Sequence, residues 1–349
     1  MMQSFVSDVL HQVSRGETLS VETAESFMNR LMAGEISAVQ TAGLLAAMAV
    51  RGESVEEIIG FARAMRANSL RVDTGLDVVD TCGTGGDGAN TFNISTAAAL
   101  VASAVSVPIA KHGNRAVSSK SGSADILSAL GARIDLDDLE AVACLNQTNL
   151  CFLFAQTFHP AMKHAAEPRK QLGFRTIFNI LGPLTNPAGA TKQVLGVYRP
   201  ELVDKVAEAL GALGTKHALV VHGSGGIDEL SIQGATKIAE VRDGQVRITE
   251  ITPEDVGLRR APISEVVGGN AEQNAQILRE VFAGSPGPKR DIVLLNAGAV
   301  LYVGGKAESI REGVALAGQA IDSGRVLRQL DSFVRTTYAV HHEEAEVAQ

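Results

Sequence analysis

Cysteine is scarce in this chain and tryptophan is missing altogether. The three cysteines, Cys82, Cys144 and Cys151, form no metal-binding or redox spacing and no even framework of pairs. That usage suits a reducing compartment. Cys82 borders a glycine-rich loop and reads as a small apolar filler. Basic charge is also short: 31 Lys and Arg stand against 39 Asp and Glu, a net charge of −8. Such a balance argues against a broad nucleic-acid footprint. No segment approaches the roughly 18 consecutive apolar residues of a membrane span, and no basic-then-apolar leader opens the chain. The expectation is a cytoplasmic protein without a membrane or nucleic-acid partner.

What remains is an ordinary globular composition, 45% apolar and 20% charged. Its 349 residues suffice for two domains, at about 100–200 residues each. Residues 1–69 read as four helices. Gly16, Gly34 and Gly52 stand where helix C-caps belong. Ser37 with Gln40 and Ser54 with Glu57 have capping-box spacing. Val55, Ile58, Ile59, Ala62 and Met65 follow helical periodicity, as do Leu44, Leu45 and Met48. This small bundle carries no cluster of catalytic residue types, so it reads as scaffold or subunit interface.

The chain is organised around residues 77–131, a strand, glycine loop and helix followed at once by a second such unit. The first strand is expected at 77–81, apolar at its centre. Gly83, Gly85, Gly86 and Gly88 follow it, and Asn93, Ser95 and Thr96 stand as N-capping residues before AAALVASAV. A glycine loop feeding a helix start presents free N–H groups and a positive dipole end, which favour phosphate. The second strand is expected at 105–110. Lys111, His112, Gly113, Asn114 and Arg115 come next, then Ser118, Ser119, Lys120, Ser121, Gly122 and Ser123, with Ser123 as cap of a helix at 124–130. Three cations and four serine hydroxyls within thirteen residues suit a polyanion. Two adjacent anion loops imply a ligand with two separated phosphate groups.

Other readings of the first loop fit less well. Gly83, Gly85 and Gly88 satisfy G-x-G-x-x-G, yet the second strand ends in Lys111-His112 instead of the ribose-gripping acid of a dinucleotide site. No Lys-Ser or Lys-Thr follows the glycines, so the Walker reading fails. A merely solvated connection seldom needs four glycines beside a capping cluster.

From residue 77 the rhythm is α/β with a largely parallel sheet. A short strand is expected at 132–136, a helix at 139–146 and a buried strand at 151–155. Residues 159–187 are partly helical and carry Lys163, Arg169, Lys170 and Arg175. Strand 193–198, helix 200–213 and strand 218–222 follow. Strands 237–241 and 246–251 flank Asp243-Gly244, a hairpin signal. Beyond Pro262 the pattern is mostly helical, with 291–303 leaning to helix and 341–349 a polar, disordered tail.

Asp228-Glu229 follows a strand and a glycine loop. Two carboxylates there suit magnesium shared with substrate phosphates, with Ser95 adding a hydroxyl from the opposite loop; they equally suit a turn cap. Arg169 fits a planar carboxylate by a bidentate contact, or else forms part of a solvated face. His112 is an acid, a base or a hydrogen-bond donor. No spacing supplies a covalent nucleophile.

GTGGD at 83–87, NIST at 93–96, KHGNR at 111–115, SGSAD at 121–125 and RTIFNILGPLTNP at 175–187 closely resemble the anthranilate phosphoribosyltransferase family. The resemblance covers essentially the whole chain. It implies transfer of phosphoribosyl from phosphoribosyl pyrophosphate to anthranilate with release of pyrophosphate, the second step of tryptophan biosynthesis, with magnesium. The missing tryptophan is in keeping with an enzyme made when that amino acid is scarce. The implied fold is α/β plus all-α: a small helical domain at 1–70, completed by about 165–185, hinged to a larger α/β domain at 74–164 and 190–349 with a mostly parallel central sheet. A homodimer through the helical domains is implied as well.

The resemblance assigns phosphoribosyl pyrophosphate to the 83–87 loop with Gly83, Gly86 and Asp87, to Thr91, and to Asn93, Ile94, Ser95 and Thr96. It further assigns to that substrate Lys111, His112, Gly113, Asn114, Arg115, Ala116, Val117, Ser118, Ser119 and Ser123. Gly83, Asn114 and Arg169 are implied for anthranilate, and Ser95, Asp228 and Glu229 for magnesium. None of these positions departs from the family pattern. The alternatives are a pyrimidine nucleoside phosphorylase-like enzyme and a non-catalytic nucleic-acid binder of the same fold. The second predicts a basic surface and loss of the acidic pair.

Overall fold

The computed structural model describes residues 2–116 and 120–347. Four helices open the chain: α1 (Met2–Ser14), α2 (Val21–Met32), α3 (Ala38–Arg51) and α4 (Val55–Ala67). Both expected capping boxes form, because Ser37 and Ser54 each accept the N–H three residues on while Gln40 and Glu57 reach back. Glu57 does more than cap. Fully buried, its carboxylate accepts the Ser54 N–H at 2.9 Å, the Leu19 N–H at 3.0 Å and the Arg51 guanidinium at 2.5 Å. One buried acid thereby ties the starts of α2 and α4 to the end of α3, with its charge paired and its oxygens satisfied.

The bundle does not stand apart from the rest. Its apolar cluster, with Phe27, Met28, Leu44 and Phe61 at the centre, takes in Ala165, Ile177, Phe178, Ile180 and Leu181 and continues to Leu195, Val197 and Val220. The contributors are α9 (Lys163–Leu172), α10 (Phe178–Leu181), α11 (Glu201–Ala212) and one face of the sheet. A short helical turn, α8 (Ala155–Phe158), precedes them.

The sheet has seven strands in the order β3-β2-β1-β4-β5-β6-β7. They are β1 (Val79–Gly83), β2 (Ile109–Gly113), β3 (Leu150–Phe154), β4 (Lys192–Gly196), β5 (His217–Gly223), β6 (Thr236–Arg242) and β7 (Gln245–Ile251). The first five pair in parallel and the last two antiparallel. Asp243 and Gly244, at φ 50° and 79°, make the two-residue turn that the Asp-Gly pair signals. The helices α5 (Ile94–Ala104), α6 (Ser123–Ala129) and α7 (Asp138–Thr148) lie in the β1–β2 and β2–β3 crossovers. A second core on the other face of the sheet joins them to α12 (Ala271–Phe282), α13 (Pro288–Val303), α14 (Ile310–Asp322) and α15 (Arg325–Val347).

Several boundaries differ from expectation. Segment 132–136 forms no strand; Arg133 there pairs with Asp135 and Glu140 while its N–H donates to Thr337 Oγ1. The stretch expected as strand 105–110 begins with the end of α5, Val105 as C-cap and Ser106 at φ 63°, so β2 starts only at Ile109. Likewise β1 runs two residues later than expected, and its second residue is the fully buried Asp80. Segment 291–303 is helical as anticipated, with Pro288 at the helix start. The expected polar tail is taken up by α15 as far as Val347. Among the described residues no helix is long and apolar enough to cross a membrane.

Candidate functional site

Strands β1, β2 and β3 progress to one side, and the chain then returns to place β4 on the other side of β1. At such a reversal the loops leaving the two strands diverge and open a crevice at their carboxyl ends. Gly83 and Gly196 are register partners there. The backbone of Asp228 lies directly over them: a Cβ on Gly196 would stand 1.5 Å from Asp228 O, and one on Gly83 would stand 2.3 Å from Asp228 Oδ2. Glycine at both strand ends is thus what admits the acidic loop to the crevice.

Within it Asp228 Oδ2 accepts the Gly85 N–H at 2.6 Å, and Glu229 Oε1 accepts the Ser95 N–H at 3.2 Å. The acidic pair therefore sits across the glycine loop and the first turn of α5. Burial, then the nearby Asp87 charge, push the Asp228 carboxyl up to about 7. Burial, then Asp228, raise Glu229 well above the usual range, against the pull of Lys111. Three acids so placed repel one another when ionised. No group of three or more His, Cys, Asp or Glu among the described residues has the geometry of a metal cage. The donor set of two carboxylates and the Ser95 hydroxyl fits a hard cation that takes its remaining ligands from substrate and water.

The second loop is arranged differently from its sequence reading. Lys111 lies inside β2, 2% exposed, its ammonium donating to Thr81 O at 2.5 Å and to Ser95 Oγ at 3.3 Å. Arg115 pairs with Asp125 at 3.0 Å. Of the three cations, Arg115 alone has an ion-pair partner among the described residues. Ser123 does not cap α6. Gly122 takes the N-cap position, Asp125 Oδ2 accepts the Gly122 and Ala116 N–H groups at 2.9 Å, and Ser123 Oγ donates to Asn114 O. Asn114 is exposed, and its Oδ1 accepts the Arg115 N–H. Gly113 closes β2. Val117, Ser118 and Ser119 lie outside the described residues.

Asn93 occupies the N-cap position of α5 but makes no capping bond. Its Nδ2 donates to Ser121 O at 3.1 Å, bridging the two loops, and its Oδ1 accepts from Asn274 Nδ2 at 3.0 Å. Ser95 and Thr96, expected before the helix, are in its first turn beside Ile94. Thr91 bridges to Val267, and Phe92 N–H donates to Val266 O. Gly86 lies against the guanidinium of Arg175, which stacks 4.5 Å from the Tyr198 ring.

His112 is buried in β2, its Nδ1 against Gly182 O at 3.2 Å and its Nε2 without a partner among the described residues. Burial and then the neighbouring His159, ring centroids 5.0 Å apart, hold it neutral with a value of about 3. A base that weak, fixed in its neutral form, is suited to hydrogen bonding and not to proton abstraction. Arg169 is half-buried on α9, 5.0 Å over the Phe178 ring, and burial lowers its affinity for protons. No carboxylate pairs with it among the described residues, and no hydrogen bond joins it to either loop. Phe178 nevertheless opens the helical turns that continue to Gly182, the partner of His112.

Sequence reasoning passed over Asp80, Asn186 and Asn274. Asp80 accepts the His112 N–H at 3.2 Å and Asn186 Nδ2 at 2.8 Å; a charged residue inside an otherwise apolar strand was the available signal.

Residues 75–327 match the family model described as the glycosyl transferase family a/b domain, and residues 7–69 that of its helical bundle domain. A curated anthranilate phosphoribosyltransferase of Brevibacillus brevis is 54% identical over 323 residues, 92% of this chain and 95% of the relative. The crystal structure of anthranilate phosphoribosyltransferase from Thermus thermophilus superposes with a TM-score of 0.90 at 46% identity, covering 95% of this chain and 99% of that one. The Saccharomyces cerevisiae enzyme in complex with PRPP and Mg superposes with a TM-score of 0.88 at 29% identity, covering 96% and 98%.

Proposed function

Because the chain belongs to the anthranilate phosphoribosyltransferase family, we infer that it transfers phosphoribosyl from phosphoribosyl pyrophosphate to the amine of anthranilate, releasing pyrophosphate, the corresponding step of tryptophan biosynthesis. The observation that carries this reading is the contact of the acidic pair with the glycine loop and the start of α5. Phosphoribosyl pyrophosphate is placed between the two loops, with Gly83, Gly86, Asp87, Thr91, the 93–96 turn and the second loop as its contacts. Lys111, fixed between Thr81 O and Ser95 Oγ, contributes positive potential to that crevice. Arg169, a half-buried guanidinium without an ion-pair partner among the described residues, is suited to the anthranilate carboxylate, and Asn114 and Gly83 are taken as its companions.

Breaking the bond from ribose C1 to pyrophosphate builds oxocarbenium character on the sugar and negative charge on the leaving group. Preorganised N–H groups and cations facing that charge supply much of the catalysis, together with positioning of the amine. An aryl amine is a neutral nucleophile, so the weakly basic His112 is no obstacle. Magnesium held by Asp228, Glu229 and Ser95 would neutralise charge on the leaving pyrophosphate.

The same reading extends to organisation. Residues 1–70 with about 165–185 are taken as one domain, 74–164 with 190–349 as the other. A homodimer through the helical part and a cytoplasmic location are proposed with it. Loss of anthranilate fluorescence on adding phosphoribosyl pyrophosphate and magnesium tests the activity. Unchanged fluorescence, with phosphorolysis of a pyrimidine nucleoside instead, would replace this reading.

A further inference from the structure

Asn274 lies in the first turn of α12 and is 2% exposed. Its side chain is divided between two tasks. Oδ1 accepts the Gly269 N–H at 2.7 Å, and Nδ2 donates to Asn93 Oδ1 at 3.0 Å. The first bond fixes which way the amide faces, because Oδ1 must point at a backbone donor and Nδ2 is left to meet Asn93. The second bond fixes Asn93 in the same manner: with Oδ1 occupied, its Nδ2 is aimed at Ser121 O, 3.1 Å away in the second loop. The segment carrying Gly269 is itself tied to the first loop, since Phe92 N–H donates to Val266 O at 3.3 Å and Gly268 N–H to Asn90 O at 2.8 Å.

We propose that Asn274 is a positioning residue for phosphoribosyl pyrophosphate. Through Asn93 it sets the separation of the two anion-binding loops, and so the fit to a ligand whose phosphate groups must reach both. It touches no substrate itself. An amide is required because the position needs one acceptor and one donor in a fixed order; Asp, Leu or Ala cannot supply both. The inference rests on the reading that the two loops hold this substrate.

The test compares Asn274→Ala and Asn274→Asp with the parent. The aspartate keeps the acceptor for Gly269 and sets an acceptor against Asn93 Oδ1 where the donor stood, so, when folded, it carries the test if the alanine variant does not fold. Both variants are expected to raise the KM for phosphoribosyl pyrophosphate about five- to tenfold, with kcat and the anthranilate KM within twofold of the parent. In an Asn93→Ala background Asn274→Ala should then add less than twofold, since its route to the loops is already cut. A purely structural role would lower the melting temperature and leave this KM split absent. Effects of the two substitutions that multiply, or a KM unchanged in folded Asn274→Asp, would overturn the proposal. Calorimetric titration of the parent with phosphoribosyl pyrophosphate separates the two levels. No binding by the parent defeats the functional reading; equal binding by parent and Asn274→Asp defeats only the role of Asn274.

Discussion

Lowering the pH from 7 to 5 should load two buried histidines with a cost that can be worked out from their surroundings. His112 and His159 have ring centroids 5.0 Å apart, and Nε2 of each lacks a hydrogen-bond partner among the described residues. Burial holds them at about 3 and about 4, below the ordinary 6.5. A histidine depressed in the folded state contributes stability that is full above 6.5 and is lost as the pH falls toward the folded value. At pH 5 both remain neutral when folded, whereas each takes a proton on unfolding. The loss between pH 7 and 5 is then about 2 kcal/mol for each, or about 4 kcal/mol together. Asp228, raised to about 7 by burial and then Asp87, acts in the opposite sense, gaining stability as it is protonated over the same interval. The difference between parent and variant isolates the histidine. His159→Asn retains a donor for Thr185 O, which the ring now serves, and cannot take a proton. Urea unfolding followed by circular dichroism at pH 7, 6 and 5 should show the variant losing about 2 kcal/mol less than the parent. Parallel losses in the two proteins would refute this account of His159.

Three further outcomes are expected. Lys111→Ala should weaken use of phosphoribosyl pyrophosphate about tenfold or more, at roughly 1.5–3 kcal/mol per charge-assisted hydrogen bond, with a smaller effect on anthranilate in steady-state kinetics; because Lys111 is bonded to Thr81 O and Ser95 Oγ, its melting temperature should fall as well. Arg169→Ala should raise the anthranilate KM about tenfold or more, the loss of a charged hydrogen-bonded pair, and leave that for phosphoribosyl pyrophosphate near the parent value; the reverse pattern would move Arg169 to the phosphate side. Asp228→Ala with Glu229→Ala should cut kcat/KM for phosphoribosyl pyrophosphate and flatten its magnesium dependence, while the melting temperature holds or rises, since two buried carboxyls kept above their usual range cost the fold at neutral pH. An unfolded double variant would make the pair structural.

What was legible in the sequence is what depends on neighbours a few residues away. The capping boxes at Ser37 and Ser54, the Asp-Gly hairpin and the glycine loop before α5 each follow from short-range rules, and each is present. Local rules failed where a distant group competed. Asn93 has the right chemistry for a cap, yet its amide is engaged by Ser121, 28 residues on, and by Asn274, 181 residues on. Ser123 lost its cap to Asp125, whose carboxylate reaches the Gly122 N–H directly. The burial of Asp80 depends on Asn186, 106 residues away, and no periodicity could anticipate it. The apolar run at 105–110 puts Lys111 in a loop, whereas β2 runs from Ile109 to Gly113 and buries it.

Following phosphoribosyl pyrophosphate by phosphorus NMR with magnesium present tests most directly whether this crevice joins anthranilate to the sugar and expels pyrophosphate. Pyrophosphate should appear in equal amount to the anthranilate consumed and should not accumulate without anthranilate. Release that proceeds at the same rate without anthranilate, or anthranilate left unconsumed, would contradict the account.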